Sequence, residues 1–586
     1  MQPSRNLGLG KPAGSVMAAA LTVIALHVAA FGHTPAVSPA TRSNAGSAPA
    51  SRALVQFHLA FSAKAGNSPA DGRMFLFIAK TSTPEPRLQT TDYRGCTPFF
   101  GVNVDGLNPG QWVTIDDGVI GYPLEHLHDL PEGDYYVQGM LNIYTTFNRS
   151  DGHVVKMHMD HWEGQQFQVS PGNIYCDPVR VHITPDADQT VSLLLDRVIP
   201  PILTPPDTDY VKRIKFQSPI LSRFWGQPIY IGATILLPRG YDTDQKMFYP
   251  VNYEQGHFST AAPGHFASAT TTPPGTPGQG KDGANQPVSF SEAWQSDHYP
   301  RMLYVTFQHP TPYYDDSYAV DSPNVGPYGT AITQELIPYI ESHFRAIPKP
   351  WARILSGGST GGWESLALQI FYPDYFGGTF SACPDPVDFH FFQLVDIYNW
   401  PNAWYRRDGW VEIPIPGDCD VNGVPLSTMK QQLDYEVALG DHGRSGQQWA
   451  IWEAVYGPLG DDGYYRPLID PGTGSIDKLV AEYWQDHMDL TYYLRTHWAG
   501  IGTKLDGKIH IWVGDMDTYY LNDAVHLMDT FLRGTTNPAY GGSIVYGPRM
   551  PHCWSGPDPL AERLRRMAEY IHSRQPAGSD SSWWSS

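Results

Sequence analysis

From about residue 210 onward, short apolar segments alternate with stretches of helical pattern, and this alternation constrains the fold more than any other feature of the chain. The apolar segments are strand candidates at 229–238, 248–254, 301–308, 352–358, 376–383 and 508–515. Helical stretches fall between several of them, at 329–344 and 362–373. Strands that alternate with helices predict an α/β fold with a mostly parallel sheet covered on both faces. Functional groups in such a sheet lie at the carboxyl ends of its strands.

Residues 52–200 have a different pattern, which is typical of an all-β domain. Four segments there, 73–80, 111–116, 133–145 and 189–199, alternate or are rich in β-formers, with Gly, Pro and Asp turns between them. Because no long helical period occurs in this part, an antiparallel β-sandwich is predicted. The proline-rich stretch 199–209 is interpreted as a linker to a second domain at 210–575.

A long segment, 384–507, separates the strand candidate that ends at Cys383 from the one that starts at Lys508. This is far more chain than a crossover between neighbouring strands needs. The segment is rich in Trp and Tyr, and we expect an inserted cap over the functional edge of the sheet. The alternative is an insertion that only packs on the scaffold. Residues 576–586 are predicted to form a polar C-terminal tail.

The N-terminal residues 1–36 have the pattern of a secretory signal peptide followed by the start of a polar linker. Arg5 and Lys11 precede the apolar run 15–31, and cleavage after Ala30 or Ala36 fits the small residues there. The alternative is an uncleaved anchor, for which the run is short. No other stretch is apolar enough to span a bilayer, so we expect a secreted or periplasmic protein.

Charge and cysteine content narrow the range of partners. The formal net charge of −20, with no cluster of Lys and Arg, argues against nucleic acid and against an acidic membrane surface. None of the five cysteines forms a CxxC pair, which disfavours a zinc ribbon or a thioredoxin-like site. Export permits a disulfide, but the odd count leaves at least one thiol unpaired, and the pairing cannot be deduced from the sequence.

The stretch ILSGGSTGGWES, residues 354–365, places Ser359 between Gly357 and Gly361. In a chain with 56 glycines a GxSxG pattern alone is a weak signal. Here, however, an apolar strand leads into the motif and a helical stretch leads out of it. That context is typical of a nucleophile elbow, in which small residues permit a sharp turn that exposes the serine hydroxyl. Ser359 is therefore predicted to be a nucleophile.

A serine hydroxyl needs a base to take its proton and an acid to orient that base. In folds with such an elbow the order along the chain is Ser, Asp or Glu, then His. The last strand candidate, 508–515, runs directly into Asp515 and Asp517, and we favour Asp517 with Asp515 as the alternative. His552 follows one further helix and strand, on a loop, and is the predicted base. Two other histidines are weaker candidates, His510 within a strand and His526 within a helix.

Attack on a carbonyl creates an oxyanion that preorganised N–H donors must stabilise. The amide of Thr360, at the start of the helix after the nucleophile, is one predicted donor. The loop after the strand 248–254 offers Gly256, His257 and Phe258 for the other, and we favour the amide of His257.

Four stretches make a family resemblance specific: FYPVNYEQGHF (248–258), residues 321–344, SGGSTGGWESLALQIFYPDYFGG (356–378) and residues 222–242. Together they resemble the esterase D-like branch of the α/β-hydrolases, which includes feruloyl esterases, enterochelin esterase-like proteins and mycolyltransferases. The resemblance covers about 210–383 and 505–575, roughly 40% of the chain. It implies an α/β-hydrolase fold, a triad of Ser359, Asp517 and His552, and oxyanion donors at Thr360 and His257. The chain departs from the family in its large insertion, and also in Asn252 and Glu254, which stand where a more apolar strand is usual.

Two constellations are not interpreted as metal sites. His158, Asp160 and His161 are expected in an ordinary exposed strand, in which the last points away from the first two. Residues 417–425 begin like a calcium loop, but Met429 stands where its final Glu would be, so a plain turn is expected. The sequence contains no phosphate-cradling or dinucleotide-binding motif in a usable context.

The sequence thus predicts an exported serine hydrolase that cleaves carboxylic esters through an acyl-enzyme and needs no cofactor or metal. Its expected partner is a small-molecule or polymer-borne ester. The alternatives are an acyltransferase or peptidase with the same triad, or a non-catalytic binding protein on a hydrolase scaffold. The acyl and alcohol parts of the substrate, the oligomeric state and the role of the N-terminal domain stay open.

Overall fold

The structure is a computed structural model, and it describes residues 55–90, 92–184, 187–267 and 289–584. The predicted signal peptide lies outside these residues. The described residues all belong to one compact unit. Within them, no helix combines the length and the apolar character needed to cross a bilayer.

The N-terminal part is built almost entirely of strands. They are β1 (Val55–Phe61), β2 (Ala70–Ala79), β3 (Phe99–Leu107), β4 (Val113–Ile115), β5 (Gly121–Tyr122), β6 (Gly133–Asn148), β7 (Val154–His158), β8 (Ile174–Tyr175), β9 (Val179–Ile183), β10 (Gln189–Leu195) and β11 (Arg197–Val198). One sheet has the order β10-β1-β4, and the other β11-β8-β6-β2-β3-β5, with β7 and β9 also paired to β6. Side chains from both sheets, among them Phe57 and Leu59 of β1 and Leu76 of β2, form one buried cluster.

One pairing in this part differs from the expected antiparallel arrangement. Strands β1 and β10 run parallel, with Val55 opposite Gln189 and Phe61 opposite Leu195. A parallel pair cannot be joined by a tight hairpin. The long chain between β1 and β10, which forms most of the N-terminal part, provides that connection. Local alternation of residues does not reveal the direction of such a distant partner.

The second part begins with β12 (Val211–Gln217), α1 (Pro219–Trp225), β13 (Tyr230–Leu236), β14 (Val251–Gln255), α2 (Phe290–Gln295), β15 (Leu303–Gln308), β16 (Asp321–Ser322), β17 (Gly326–Pro327), α3 (Tyr328–Ala331), α4 (Ile337–His343), β18 (Arg353–Gly358), α5 (Thr360–Phe371) and β19 (Gly378–Ala382). The insertion 384–507 contains β20 (Tyr405–Asp408), β21 (Val411–Pro414), β22 (Pro416–Cys419), β23 (Pro425–Thr428), α6 (Met429–Leu439), α7 (Gln448–Tyr456), α8 (Lys478–His487) and α9 (Leu490–Ile501). The chain returns to the sheet through β24 (Ile509–Gly514), α10 (Leu521–Gly534), β25 (Ser543–Gly547) and α11 (Leu560–Arg574).

Eight strands of this part form one sheet in the order β12-β13-β15-β14-β18-β19-β24-β25. Strand β13 is antiparallel to both of its neighbours, and every pair from β15 to β25 is parallel. This is the strand arrangement of the α/β-hydrolase fold, which the sequence resemblance implies. The carboxyl ends of β14, β18, β19, β24 and β25 therefore meet at one edge of the sheet, and the loops that follow them can share a site.

The insertion packs against both parts of the molecule. Its aromatic side chains Trp449, Trp452 and Trp484 belong to the buried core of the second part. On the other side, Tyr435 of α6 packs with Phe99 and Tyr122 of the N-terminal sheet. The insertion is thus held between the N-terminal strands and the eight-stranded sheet. The predicted C-terminal tail is described up to residue 584, and its Trp583 is buried in the same core.

Candidate active site

The turn between β18 and α5 has the geometry of a nucleophile elbow. Ser359 occupies it with φ 57° and ψ −123°, a left-handed conformation that costs energy for any residue except glycine. A Cβ atom on Gly357 would lie 2.2 Å from the carbonyl oxygen of Gly361, and one on Gly361 would lie 2.1 Å from the carbonyl oxygen of Gln255. Both glycines are therefore required by the close approach of backbone segments, and the motif is structural as well as chemical.

Replacing Gly361 with alanine is expected to lower the free energy of unfolding by about 2–4 kcal/mol, because the new methyl group collides with backbone that cannot rotate away. Gly358 is the matched control, since its nearest neighbours would lie 3.9 Å from an added Cβ. Gly358→Ala is expected to change stability by less than about 1 kcal/mol. Urea denaturation of the two variants measures the difference. Equal stability would show that the turn is looser than described.

Three side chains from three loops meet at the elbow. The Oγ of Ser359 lies 2.8 Å from Nε2 of His552, and Nδ1 of His552 lies 2.8 Å from Oδ2 of Asp517. Asp517 is buried, and its other carboxylate oxygen accepts hydrogen bonds from the backbone amides of Tyr519 and Leu521, at 2.9 and 3.5 Å. This is the connectivity that nucleophilic catalysis by serine requires, with a base bonded to the hydroxyl and an acid bonded to the base.

The alternative acid and bases lie elsewhere. Asp515 is exposed and accepts a hydrogen bond from the amide of Arg549 rather than from His552. The ring of His510 contacts the Ser543 hydroxyl at 2.9 Å, and the ring of His526 stacks on Tyr546.

The charge of Asp517 shifts the titration of its partner. Burial of the His552 imidazole disfavours its protonated form, but the hydrogen bond and the negative charge of Asp517 outweigh burial and, with a contribution from Cys553, raise the pKa of His552 from 6.5 to about 10. Because the base must be neutral to accept a proton, its active fraction grows as the pH rises through that pKa.

Of the two predicted oxyanion donors, Thr360 directly follows the nucleophile along the chain, and His257 lines the same cavity as Ser359. Thr360 is fully buried as the first residue of α5, and His257 follows β14. The His257 ring is held by two carboxylates, with Nδ1 3.2 Å from Asp315 Oδ1 and 3.5 Å from Asp316 Oδ2. Burial opposes protonation of this ring, but the two carboxylates prevail and hold the pKa of His257 well above its usual range.

Asp385 is a residue of the site that the sequence reasoning missed. It follows β19, the neighbour of β18, and its Oδ1 accepts a hydrogen bond of 3.4 Å from the Ser359 hydroxyl. Its Oδ2 accepts from Tyr318 and, at 3.3 Å each, from Thr360 and Trp452. Burial raises the pKa of this carboxyl. Its position at the carboxyl end of the strand beside the elbow is the signal that could have identified it.

The site opens into a cavity of about 390 Å³ to which all parts of the protein contribute. Ser359, His552 and Asp385 lie on the side of the catalytic sheet. The rest of the wall is rich in aromatic and amide side chains. The insertion provides many of these, and the N-terminal part provides Tyr93. The aromatic members are Tyr93, Tyr435, Trp449, Trp452 and Tyr519. No Lys or Arg is among the residues that line this cavity in the described part of the chain.

In both groups of residues that were not interpreted as metal sites, polar side chains contact other groups of the protein. His158 is buried rather than exposed as expected, with Nε2 2.7 Å from Glu163 and Nδ1 2.8 Å from Asn142. Its burial arises because β7 pairs with the long strand β6, and the sequence pattern did not reveal that partner. In the other stretch, Asp420 accepts hydrogen bonds from the amides of Asn422 and Val424, as in a plain turn.

The sequence model of a family described as putative esterase matches residues 306–453. The matched segment runs from β15 to α7 and contains Ser359, whereas Asp517 and His552 lie beyond it. No curated protein matches the chain.

Several solved structures are similar to the chain over most of their own length. A ferulic acid esterase is 14% identical, with a TM-score of 0.32, over 62% of this chain and 97% of its own. An S-formylglutathione hydrolase from Agrobacterium tumefaciens is 12% identical, with a TM-score of 0.32, over 63% and 98%. The ferulic acid esterase AmCE1/Fae1A from Anaeromyces mucronatus is 13% identical, with a TM-score of 0.27, over 62% and 91%. Likenesses this weak carry no information about substrate. The family match, in contrast, confirms the resemblance to esterases that the sequence around Ser359 indicates.

Proposed function

We propose that this protein is a serine hydrolase that cleaves carboxylic esters through an acyl-enzyme. The observation that carries the proposal is the continuous chain of contacts from the Ser359 hydroxyl through His552 to Asp517, each link 2.8 Å long. The match of residues 306–453 to the putative esterase family supports the same chemistry.

In the proposed mechanism, Ser359 Oγ attacks the ester carbonyl while its proton passes to Nε2 of His552. The backbone amides of Thr360 and His257 stabilise the oxyanion that forms. The tetrahedral intermediate collapses when His552 returns the proton to the departing alcohol, which leaves the acyl group on Ser359. Water then attacks the acyl-enzyme, with His552 again as base. Asp517 stays ionised throughout and holds the imidazole in the required tautomer.

The cavity favours neutral esters over substrates with a carboxylate near the scissile bond. Among the described lining residues there is no Lys or Arg, and the two imidazoles that can carry positive charge are already paired, His257 with Asp315 and Asp316 and His552 with Asp517. A substrate carboxylate would therefore be desolvated without a free cationic partner, which is costly.

The insertion 384–507 is proposed to act as a cap. Residues of α6 and α7, among them Gln432, Trp449 and Trp452, face the triad across the cavity and limit what reaches Ser359. Tyr93 gives the N-terminal part a share in the same wall, so that part is proposed to help shape the substrate site. We also propose that the protein is exported, on the basis of the signal-peptide pattern at 1–36.

A panel of p-nitrophenyl acyl esters tests the proposed function. We expect hydrolysis of neutral esters, no cleavage of a matching peptide anilide, and little transfer to a competing alcohol. A carboxylate placed beside the scissile bond is expected to lower kcat/KM at least tenfold. Preferential transfer to the alcohol would identify an acyltransferase instead, and cleavage of the anilide a peptidase. Failure to hydrolyse any ester would contradict the proposal.

A further inference from the structure

We propose that Cys383 and Cys553 form a disulfide when the protein is in an oxidising environment, and that this crosslink positions His552 and tunes its basicity. The inference rests on the proposed function, because it concerns the base of the same triad. It assigns a pairing among five cysteines that the sequence leaves open.

The two cysteines lie on the loops that build the site. Cys383 directly follows β19, and its amide donates to the carbonyl of Trp512. Cys553 directly follows His552. The two sulfur atoms and a ring nitrogen of His552 all lie within 4.8 Å of one another. The two sulfurs are thus close neighbours in the reduced form, and a small movement of the two loops would bring them to the disulfide bond length of about 2.05 Å.

The backbone around both residues indicates local constraint. Cys383 has φ 37° and Cys553 has φ 63°, left-handed values that non-glycine residues adopt at a cost. A surrounding structure must hold such residues in place.

The loop that carries His552 has few hydrogen bonds between backbone groups. Before it, the amide of Met550 donates to Gly547 and the carbonyl of Met550 accepts from Met516, each at 3.1 Å. In the described chain, the amides of residues 552–555 donate no hydrogen bond to another backbone group. A covalent bond from Cys553 to the sheet edge at Cys383 would add a restraint one residue from the base.

The remaining cysteines occupy other environments. The sulfur of Cys176 accepts a hydrogen bond from the amide of Gly139, and that of Cys419 donates to the Asp517 carbonyl at 3.8 Å. Cys383 and Cys553, in contrast, lie together, with their sulfur atoms and a ring nitrogen of His552 within 4.8 Å of one another.

Formation of the crosslink needs an oxidant, and a small disulfide such as glutathione disulfide supplies it by thiol–disulfide exchange. Cys553 is exposed, whereas Cys383 is buried. The Cys553 thiolate attacks one sulfur of the oxidant, and a thiolate leaves. Cys383 then loses its proton and attacks the Cys553 sulfur of the mixed disulfide, which expels the second thiolate. Two protein thiols and one oxidant disulfide thus give one protein disulfide and two free thiols.

The reaction changes the charge beside the base. The neighbouring Cys383 thiol and the His552 imidazole lower the pKa of Cys553 to about 5, which favours a thiolate next to the imidazole in the reduced form. That thiolate favours the protonated imidazole and adds to the rise in the pKa of His552. The titratable groups that face His552 are Asp517 after β24, Asp385 and Cys383 after β19, Cys553 on its own loop, and Tyr519 against its ring. Oxidation removes the thiolate and leaves the carboxylates, so the pKa of His552 falls.

The test compares the full-length protein after treatment with glutathione disulfide and after reduction with dithiothreitol. Non-reducing peptide mapping of the oxidised protein is expected to give a Cys383–Cys553 peptide pair that is lighter by two hydrogen atoms. The rising limb of the pH profile of kcat/KM is expected to move to lower pH on oxidation. On reduction, kcat is expected to fall about tenfold or more at neutral pH while KM changes little. Cys383→Ser should abolish both responses, whereas Cys96→Ser should keep them.

Absence of the linked peptide from the oxidised protein would overturn the proposal. A linked peptide without any shift of the pH profile would refute the positioning and tuning role and leave only a structural bond. If Cys383→Ser does not fold, peptide mapping and the pH profiles of the wild type still decide the matter. The linked peptide is read whether or not the protein hydrolyses esters, so failure of the crosslink and failure of the proposed function give different results.

Discussion

Replacing Ser359 with alanine is expected to lower kcat for ester hydrolysis at least a thousandfold while the fold is retained. The hydroxyl removed is the group that forms the acyl-enzyme, and only the binding cavity and oxyanion donors would remain to accelerate attack by water. The new methyl group occupies space that Cβ and Oγ of serine already fill, so stability should change little. Steady-state assays with the best p-nitrophenyl ester, together with a thermal melt, measure both quantities.

Ser342→Ala is the matched control for this experiment. Ser342 lies on α4, is exposed, and donates to the Tyr339 carbonyl within its own helix. Its loss should leave kcat within about twofold of the wild type. Retention of most of the activity by Ser359→Ala would show that hydrolysis occurs without the elbow serine, and the proposed mechanism would then be wrong.

Replacing Asp517 with asparagine is expected to lower kcat at least a hundredfold, a conservative figure for a substitution that can cost about 10⁴ in a serine triad. An asparagine amide at this position can donate to Nδ1 of His552, which would put the imidazole proton on Nε2. That nitrogen could then no longer accept the proton of Ser359. The amides of Tyr519 and Leu521 would still find an acceptor oxygen, so the effect should fall on kcat rather than on folding.

The variant Asp515→Asn tests which of the two candidate aspartates is the acid of the triad. Asp515 accepts from the amide of Arg549, and an asparagine side chain can accept the same bond. Because Asp515 does not contact His552, this change is expected to alter kcat less than about threefold. A larger loss for Asp515→Asn than for Asp517→Asn would reverse the assignment of the acid.

Much of the catalytic sheet could be predicted from the sequence because its signals are local. Each of the six strand candidates of the second part corresponds to a strand, from β13 through β24, since buried parallel strands appear as short apolar runs. The elbow could also be predicted, because the small residues that its close backbone contacts require, Gly357 and Gly361, lie within two residues of Ser359. The order Ser, Asp, His along the chain then predicts that the acid and the base lie on the loops after β24 and β25.

What the sequence could not provide depends on contacts between distant segments. The parallel partner of β1 lies well over a hundred residues away, and no local pattern reports its direction. Asp385 reaches Ser359 because β19 lies beside β18, and one aspartate after a strand resembles many others. The proximity of Cys383 to Cys553 likewise follows from the order of β19, β24 and β25 in the sheet.

Labelling with a fluorophosphonate tests the central claim most directly, because the reagent reacts with a serine only where a base activates it and donors stabilise the adduct. The folded wild-type protein is expected to take up one equivalent on the peptide that carries Ser359. Ser359→Ala should take up none, and His552→Ala should react at least a hundredfold more slowly. A folded wild-type protein that stays unlabelled, or is labelled at another serine, would contradict the account.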